Sequence, residues 1–231
     1  MPAEGRPRLV VLLLHGSTKH SNADELSPVR FLEDEIKGPG DLWGSKGALL
    51  VFLAGRAVGG QGQFCWGAGI DNGLCTAPRE GAQDESFIFV VLEWLRLQQV
   101  DGGSTPTYLY GHSGGGRMSW RAACNHTLAP RLAGVFATSA LLAEELRATP
   151  TTCNISTMPP IIITHGTRDT TTDITFADES VTWTAAAADC SRKSTVHVET
   201  GTLPSAELMH RFLLLIHHFL FFLNARVPKK I

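Results

Sequence analysis

The sequence predicts one α/β domain built on a mainly parallel sheet. Its length, its series of short continuous apolar runs and the helix-like segments between those runs point the same way. A chain of 231 residues fits one domain of this type, so 1–231 is read as a single unit. The first run, Leu9 to Leu14, follows Arg6 and Arg8 but passes into His15-Gly16 without a small-residue cleavage site. It reads as a buried strand, not a leader. Ala48 to Ala54 is the second strand. Ala57 to Gly73 is rich in glycine and reads as a long loop carrying Cys65 and Trp66. It emerges from a strand's carboxyl end, where open α/β sheets bind ligands. Asp84 is expected to cap a helix running to Val100. Glu93, Arg96 and Gln99 form its polar side, and Phe87, Val90, Val91 and Trp94 are expected to face the core. Thr107 to Tyr110, Leu132 to Thr138, Ile161 to Thr164 and Thr195 to Glu199 bring the strands to about six. Their continuous apolar character suits parallel strands covered by helices on both faces. Leu208 to Leu223 reads as a final helix packed on the sheet.

Composition excludes several functions. Hydrophobic residues are 43% of the chain and charged residues 18%, which favours a large core over disorder. With 20 Lys+Arg against 22 Asp+Glu, the net charge of -2 gives no general attraction to nucleic acid or anionic lipid. The run Phe212 to Leu223, broken by His217 and His218, is shorter than the roughly 20 residues a membrane-spanning helix needs. The 5 cysteines contain no Cys-x-x-Cys pair, so neither a zinc ribbon nor a dithiol redox site is expected, and no metal. Two glycosylation sequons, Asn125-His-Thr and Asn154-Ile-Ser, each lie beside a cysteine. Cysteines and sequons together favour an extracellular setting, although no signal peptide is visible. In that setting Cys65 with Cys75, and Cys124 with Cys153, are the expected disulfides, and Cys190 is left over.

The chemistry is concentrated in Thr107 to Met118, where Gly111, Ser113 and Gly115 form Gly-x-Ser-x-Gly between a strand and a helix. Such a turn strains the central residue and needs small neighbours so that strand and helix can approach. It exposes the Ser113 hydroxyl at a helix amino terminus, where the Gly114 amide can meet a developing oxyanion. A phosphate loop is excluded because Arg117 and Met118 stand where Lys and Ser or Thr are required. Ser17, after the His15-Gly16 turn, is expected to supply the second oxyanion amide. His15 precedes the nucleophile, which contradicts the Ser, acid, His order of the hydrolase triad, so it is read as structural. Asp169, on the loop after Ile161 to Thr164, is the triad acid, with Asp173 its nearby substitute. Four histidines follow it: His197, His210, His217 and His218. His210 is the base favoured by position, and the other three stay open. His112 and His165 are read as packing residues, His112 also as a neighbour of bound substrate.

These motifs, in order Leu12 to Gly16, Phe64 to Trp66, Asp84 to Phe87, Gly111 to Gly115 and His165 to Asp169, resemble the α/β-hydrolase superfamily. The branch they look most like contains secreted polyhydroxybutyrate depolymerases and feruloyl esterases. The resemblance implies Ser113 as nucleophile, Asp169 as acid, Ser17 and Gly114 as oxyanion amides, and Trp66 lining the substrate cleft. It also implies an ester substrate, small, aromatic or polymeric, and no cofactor. The carboxyl end departs from the pattern, since Gly-Gly-His with a following Trp-Pro is replaced by Thr200 to His210. That departure keeps a second expectation alive, a catalytically impaired ligand-binding protein on the same fold. The chain also begins almost at its first strand, so the leading antiparallel strands of many relatives are expected to be missing. Oligomeric state and acyl preference are not legible.

Overall fold

The computed structural model describes residues 7–19, 47–58, 63–67, 81–98, 105–142, 146, 153, 157–167 and 169–187. The apolar runs become strands β1 (Leu9–Leu14), β3 (Ala48–Leu53), β6 (Thr107–His112), β7 (Gly134–Thr138) and β8 (Ile161–Thr164). They form one sheet in the order β3-β1-β6-β7-β8 with every pairing parallel. All five carboxyl ends therefore share one edge. The expected strand Thr195 to Glu199 and the apolar segment Leu208 to Leu223 lie outside the described residues.

Three α-helices are described with this sheet, α1 (Gly81–Leu97), α2 (Gly114–Cys124) and α3 (Thr175–Ala187). Alternation along β1 separates the two sheet faces. Val10, Leu12 and Leu14 pack with Leu109 and Val135 against Ile88, Leu92 and Leu95 of α1 and Met118 and Ala122 of α2. Val11 and Leu13 turn the other way, to Tyr108, Tyr110 and Phe136, a cluster to which no described helix contributes. Trp183 of α3 joins Trp120 of α2 and Ala137 of β7 on the first face. The expected disulfide Cys124–Cys153 is present within that cluster and ties the end of α2 to the segment ahead of β8. Cys65 is also disulfide-bonded.

Three expectations need correction. Residues 57–73 are not simply a loop: β4 (Arg56–Val58) and β5 (Gln63–Cys65) pair antiparallel and join β2 (Thr18–Lys19) in a second, small sheet. Their strands are too short to show a period among the glycines. Asp84 lies in the first turn of α1 and does not cap it; its buried carboxylate accepts the Gly67 N–H and stands 3.9 Å from Arg56. Finally, α1 buries Asp84, Ile88, Leu92 and Leu95, and leaves Phe87, Val90, Trp94 and Leu97 between 41% and 66% exposed. Glu93, placed on the polar side, pairs with Arg131 at 2.5 Å and Arg96 at 3.0 Å. The asparagine of the first sequon is engaged in the fold: Asn125 accepts the Thr127 and Leu128 N–H groups and donates to Glu85.

Candidate active site

At the carboxyl edge of the sheet, β6 turns directly into α2 through Ser113, whose backbone sits at φ 53° and ψ -117°. A non-glycine residue adopts that region only at a cost. The turn is held by main-chain bonds, since the Ser113 N–H donates to Thr138 O at 2.9 Å and its carbonyl accepts the Arg117 N–H at 3.1 Å. Close approach explains the flanking glycines. A Cβ on Gly111 would lie 2.1 Å from Gly115 O, and one on Gly115 would lie 2.3 Å from Leu14 O. Helix α2, β6 and β1 can meet only without those side chains. Gly114 opens α2, so its N–H belongs to the first turn, where amides have no intrahelical acceptor.

The end of β1 brings the next elements. Gly16 lies against Ser113 closely enough that a Cβ there would be 3.2 Å from Ser113 Cβ and 3.1 Å from His112 Nδ1. Ser17 follows it, partly buried, on the same rim. Trp66, expected on a cleft wall, is instead 3% exposed and packs in the core; its indole N–H donates to His15 O at 2.8 Å. It turns inward because β5 pairs with β2, just beyond the end of β1, and the indole N–H finds its acceptor there. His112 is partly buried beside Ser113. Burial pushes its imidazole below the ordinary histidine range, while the Asp169 carboxylate pulls it back up.

Asp169 stands on the loop after β8. Its Oδ1 accepts the Thr171 and Thr172 N–H groups, both at 2.9 Å, and its Oδ2 lies 3.6 Å from His165 Nε2. His165 donates that Nε2–H to Thr172 O at 2.7 Å, while its buried Nδ1 has no hydrogen-bond partner. Asp173, expected as the nearby substitute for Asp169, is exposed and accepts the Thr175 N–H at the start of α3, which holds its carboxyl below the usual range. The edge thus gathers Ser113, Gly114, Gly16, Ser17, His112 and Asp169. His197, His210, His217 and His218 lie outside the described residues. Among the described residues there is no group of three or more metal-ligating side chains, and no helix is long and apolar enough to cross a membrane.

Sequence reasoning passed over Ser139, at φ 47° immediately after the strand residue that anchors the Ser113 amide. Nothing in its neighbours marks it, because a serine in a left-handed conformation has no sequence signature. A Gly-x-Ser-x-Gly does, since two close backbone approaches demand it.

No family model matches the sequence, and no curated protein does. Solved structures do match its fold. Arabidopsis thaliana SOBER1 is 14% identical, with a TM-score of 0.57 over 92% of this chain and 99% of that one. Esterase PE8 is 20% identical, with a TM-score of 0.55 over 94% and 96%. Zea mays acyl-protein thioesterase 2 is 16% identical, with a TM-score of 0.53 over 93% and 96%. The chain has the α/β-hydrolase fold.

Proposed function

We propose that the protein is a serine hydrolase of carboxylic esters that works through an acyl-serine intermediate. The observation that carries this is the strained backbone of Ser113, at the strand-to-helix turn on the sheet's carboxyl edge. Proteins of the same fold include ones named as an esterase and as an acyl-protein thioesterase, which supports ester chemistry in general. In this reading the Ser113 Oγ attacks the ester carbonyl while a histidine ring nitrogen takes its proton. Asp169 accepts the other imidazole N–H and stabilises the imidazolium. Two backbone donors already occupy its Oδ1, which leaves Oδ2 as the oxygen for the ring. The Ser17 and Gly114 amides receive the oxyanion. The alcohol leaves with the imidazole proton, and water repeats the sequence on the acyl-enzyme. His210 is our choice of base, from its place after Asp169 in the chain order. Substrates are small or aromatic esters of the feruloyl type, or polyesters, with His112 beside the bound group. No cofactor enters the mechanism.

Fluorophosphonate labelling together with p-nitrophenyl acetate turnover tests this. Labelling should map to Ser113, and Ser113→Ala should lower kcat by about 10⁴-fold or more with the fold intact. Exchange of His210, His197 or the His217/His218 pair, one at a time, should identify a single exchange that abolishes turnover. A folded protein that binds esters but is neither labelled nor active would instead be a ligand-binding protein on this fold.

A further inference from the structure

We propose that His15 is a positioning residue that aims the Ser17 amide at the oxyanion; the inference rests on the esterase reading above. His15 is fully buried at the end of β1. Its Nδ1 lies 2.6 Å from Gly16 O, and a carbonyl can only accept, so Nδ1 carries the proton. The Gly55 N–H points at Nε2 over 2.9 Å, so Nε2 is an acceptor. The two bonds select one tautomer of a neutral imidazole, and neither nitrogen is left to act as a base on substrate.

The bond to Gly16 O fixes more than a side chain. No peptide among the described residues is cis, and the Gly16–Ser17 unit is planar, so its N–H points opposite to its C=O. Holding the carbonyl on the imidazole turns the Ser17 N–H away from it. Gly16 itself rests against Ser113, so this peptide borders the nucleophile. The preceding peptide is held as well: His15 O accepts the Trp66 indole N–H, and the two rings lie 5.3 Å apart. Trp66 follows the disulfide-bonded Cys65 in the second sheet. His15 is therefore the joint through which that sheet sets the oxyanion loop before substrate arrives, the condition under which an amide donor is most effective.

Asn and Gln separate the two bonds. His15→Asn can place an amide N–H where Nδ1 stood and keep the Gly16 carbonyl, while His15→Gln can place an amide oxygen where Nε2 stood and keep only Gly55. Steady-state kinetics with p-nitrophenyl acetate should show kcat lower by about 10²-fold in His15→Gln with KM within about twofold. His15→Asn should retain kcat within about tenfold of the parent. Thermal midpoints should fall equally in both. Equal loss of kcat in the two variants, or loss that merely follows the midpoint, overturns the inference while the parent enzyme remains active and labelled at Ser113. If neither variant folds, Trp66→Phe decides, because it leaves an aromatic ring in the core and removes the bond to His15 O: kcat should fall about tenfold at constant KM, and an unchanged kcat overturns the inference. A parent protein that is neither labelled nor active overturns the esterase reading and the positioning role with it.

Discussion

Ser113 and Ser139 are the two non-glycine residues with positive φ among those described, and they stand side by side. The register pairs His112 with Thr138, the residues just before them, and Thr138 O receives the Ser113 amide. Each positive-φ serine costs about 1–3 kcal/mol. At Ser113 the strain accompanies the abrupt passage from β6 into α2. At Ser139 it lets the chain donate to Thr164 O and still place Ala140 beneath Gly116, where a Cβ would stand 2.4 Å from the alanine methyl. Stability should reveal the difference. Ser139→Gly should leave urea unfolding unchanged or raise stability by up to about 1 kcal/mol, and Ser139→Val should lower it by about 2 kcal/mol or more, since a β-branched residue fits this region worst. Equal stability for the glycine and valine variants would refute a strained conformation at 139.

Strands were readable as elements, and one helix face was not. The runs beginning at Leu9, Ala48, Thr107 and Ile161 are apolar at nearly every position, as strands buried on two faces must be, and the structure pairs them all in parallel. The same density hid the face of α1. From Phe87 to Leu95 only Glu93 is charged, so a 3.6-residue period could not show which side turns inward. The buried Asp84 settles it, because its bond to the Gly67 amide requires the side through Ile88, Leu92 and Leu95 to face the sheet. Exchanges on the two sides should therefore differ: Leu92→Ala should cost about 3 kcal/mol in chemical unfolding and Trp94→Gln no more than about 0.5 kcal/mol. The disulfide expected from the cysteines joins elements separated by 29 residues in sequence. By loop-closure entropy, Cys124→Ser should cost about 3–4 kcal/mol, read as a lower urea midpoint that reductant no longer shifts through this bond.

Across the whole molecule the site exists because five parallel strands end on one edge, and the sequence marked the positions on that edge better than their order along it. The place of Ser113 on that edge was legible from its glycines, and that of Asp169 from the strand before it. The expected base carries no such mark, because a histidine on a loop needs no special neighbours and His197, His210, His217 and His218 all follow Asp169 in the sequence. The strand order was hidden too, since it depends on which crossover carries each strand to its partner. Assembly at the edge gives acid sensitivity a definite sign. Burial lowers the His112 pKa and Asp169 opposes that effect, so the folded protein binds a proton there less readily than the unfolded chain. Between the unfolded value near 6.5 and the lower folded value, the unfolded state carries more protons, and stability falls as pH falls through that window. Above it the contribution is fully present. Urea midpoints at about pH 7.5 and 5.5 should therefore drop on acidification, and His112→Gln should remove part of the drop. Asp169→Asn takes away the opposing charge, lowers the imidazole further and should steepen the loss. Asp173 affects a separate, more acidic range, because the Thr175 N–H holds its carboxyl below the usual carboxylate range. Parallel curves for the parent and His112→Gln would show that this imidazole is not the group responsible.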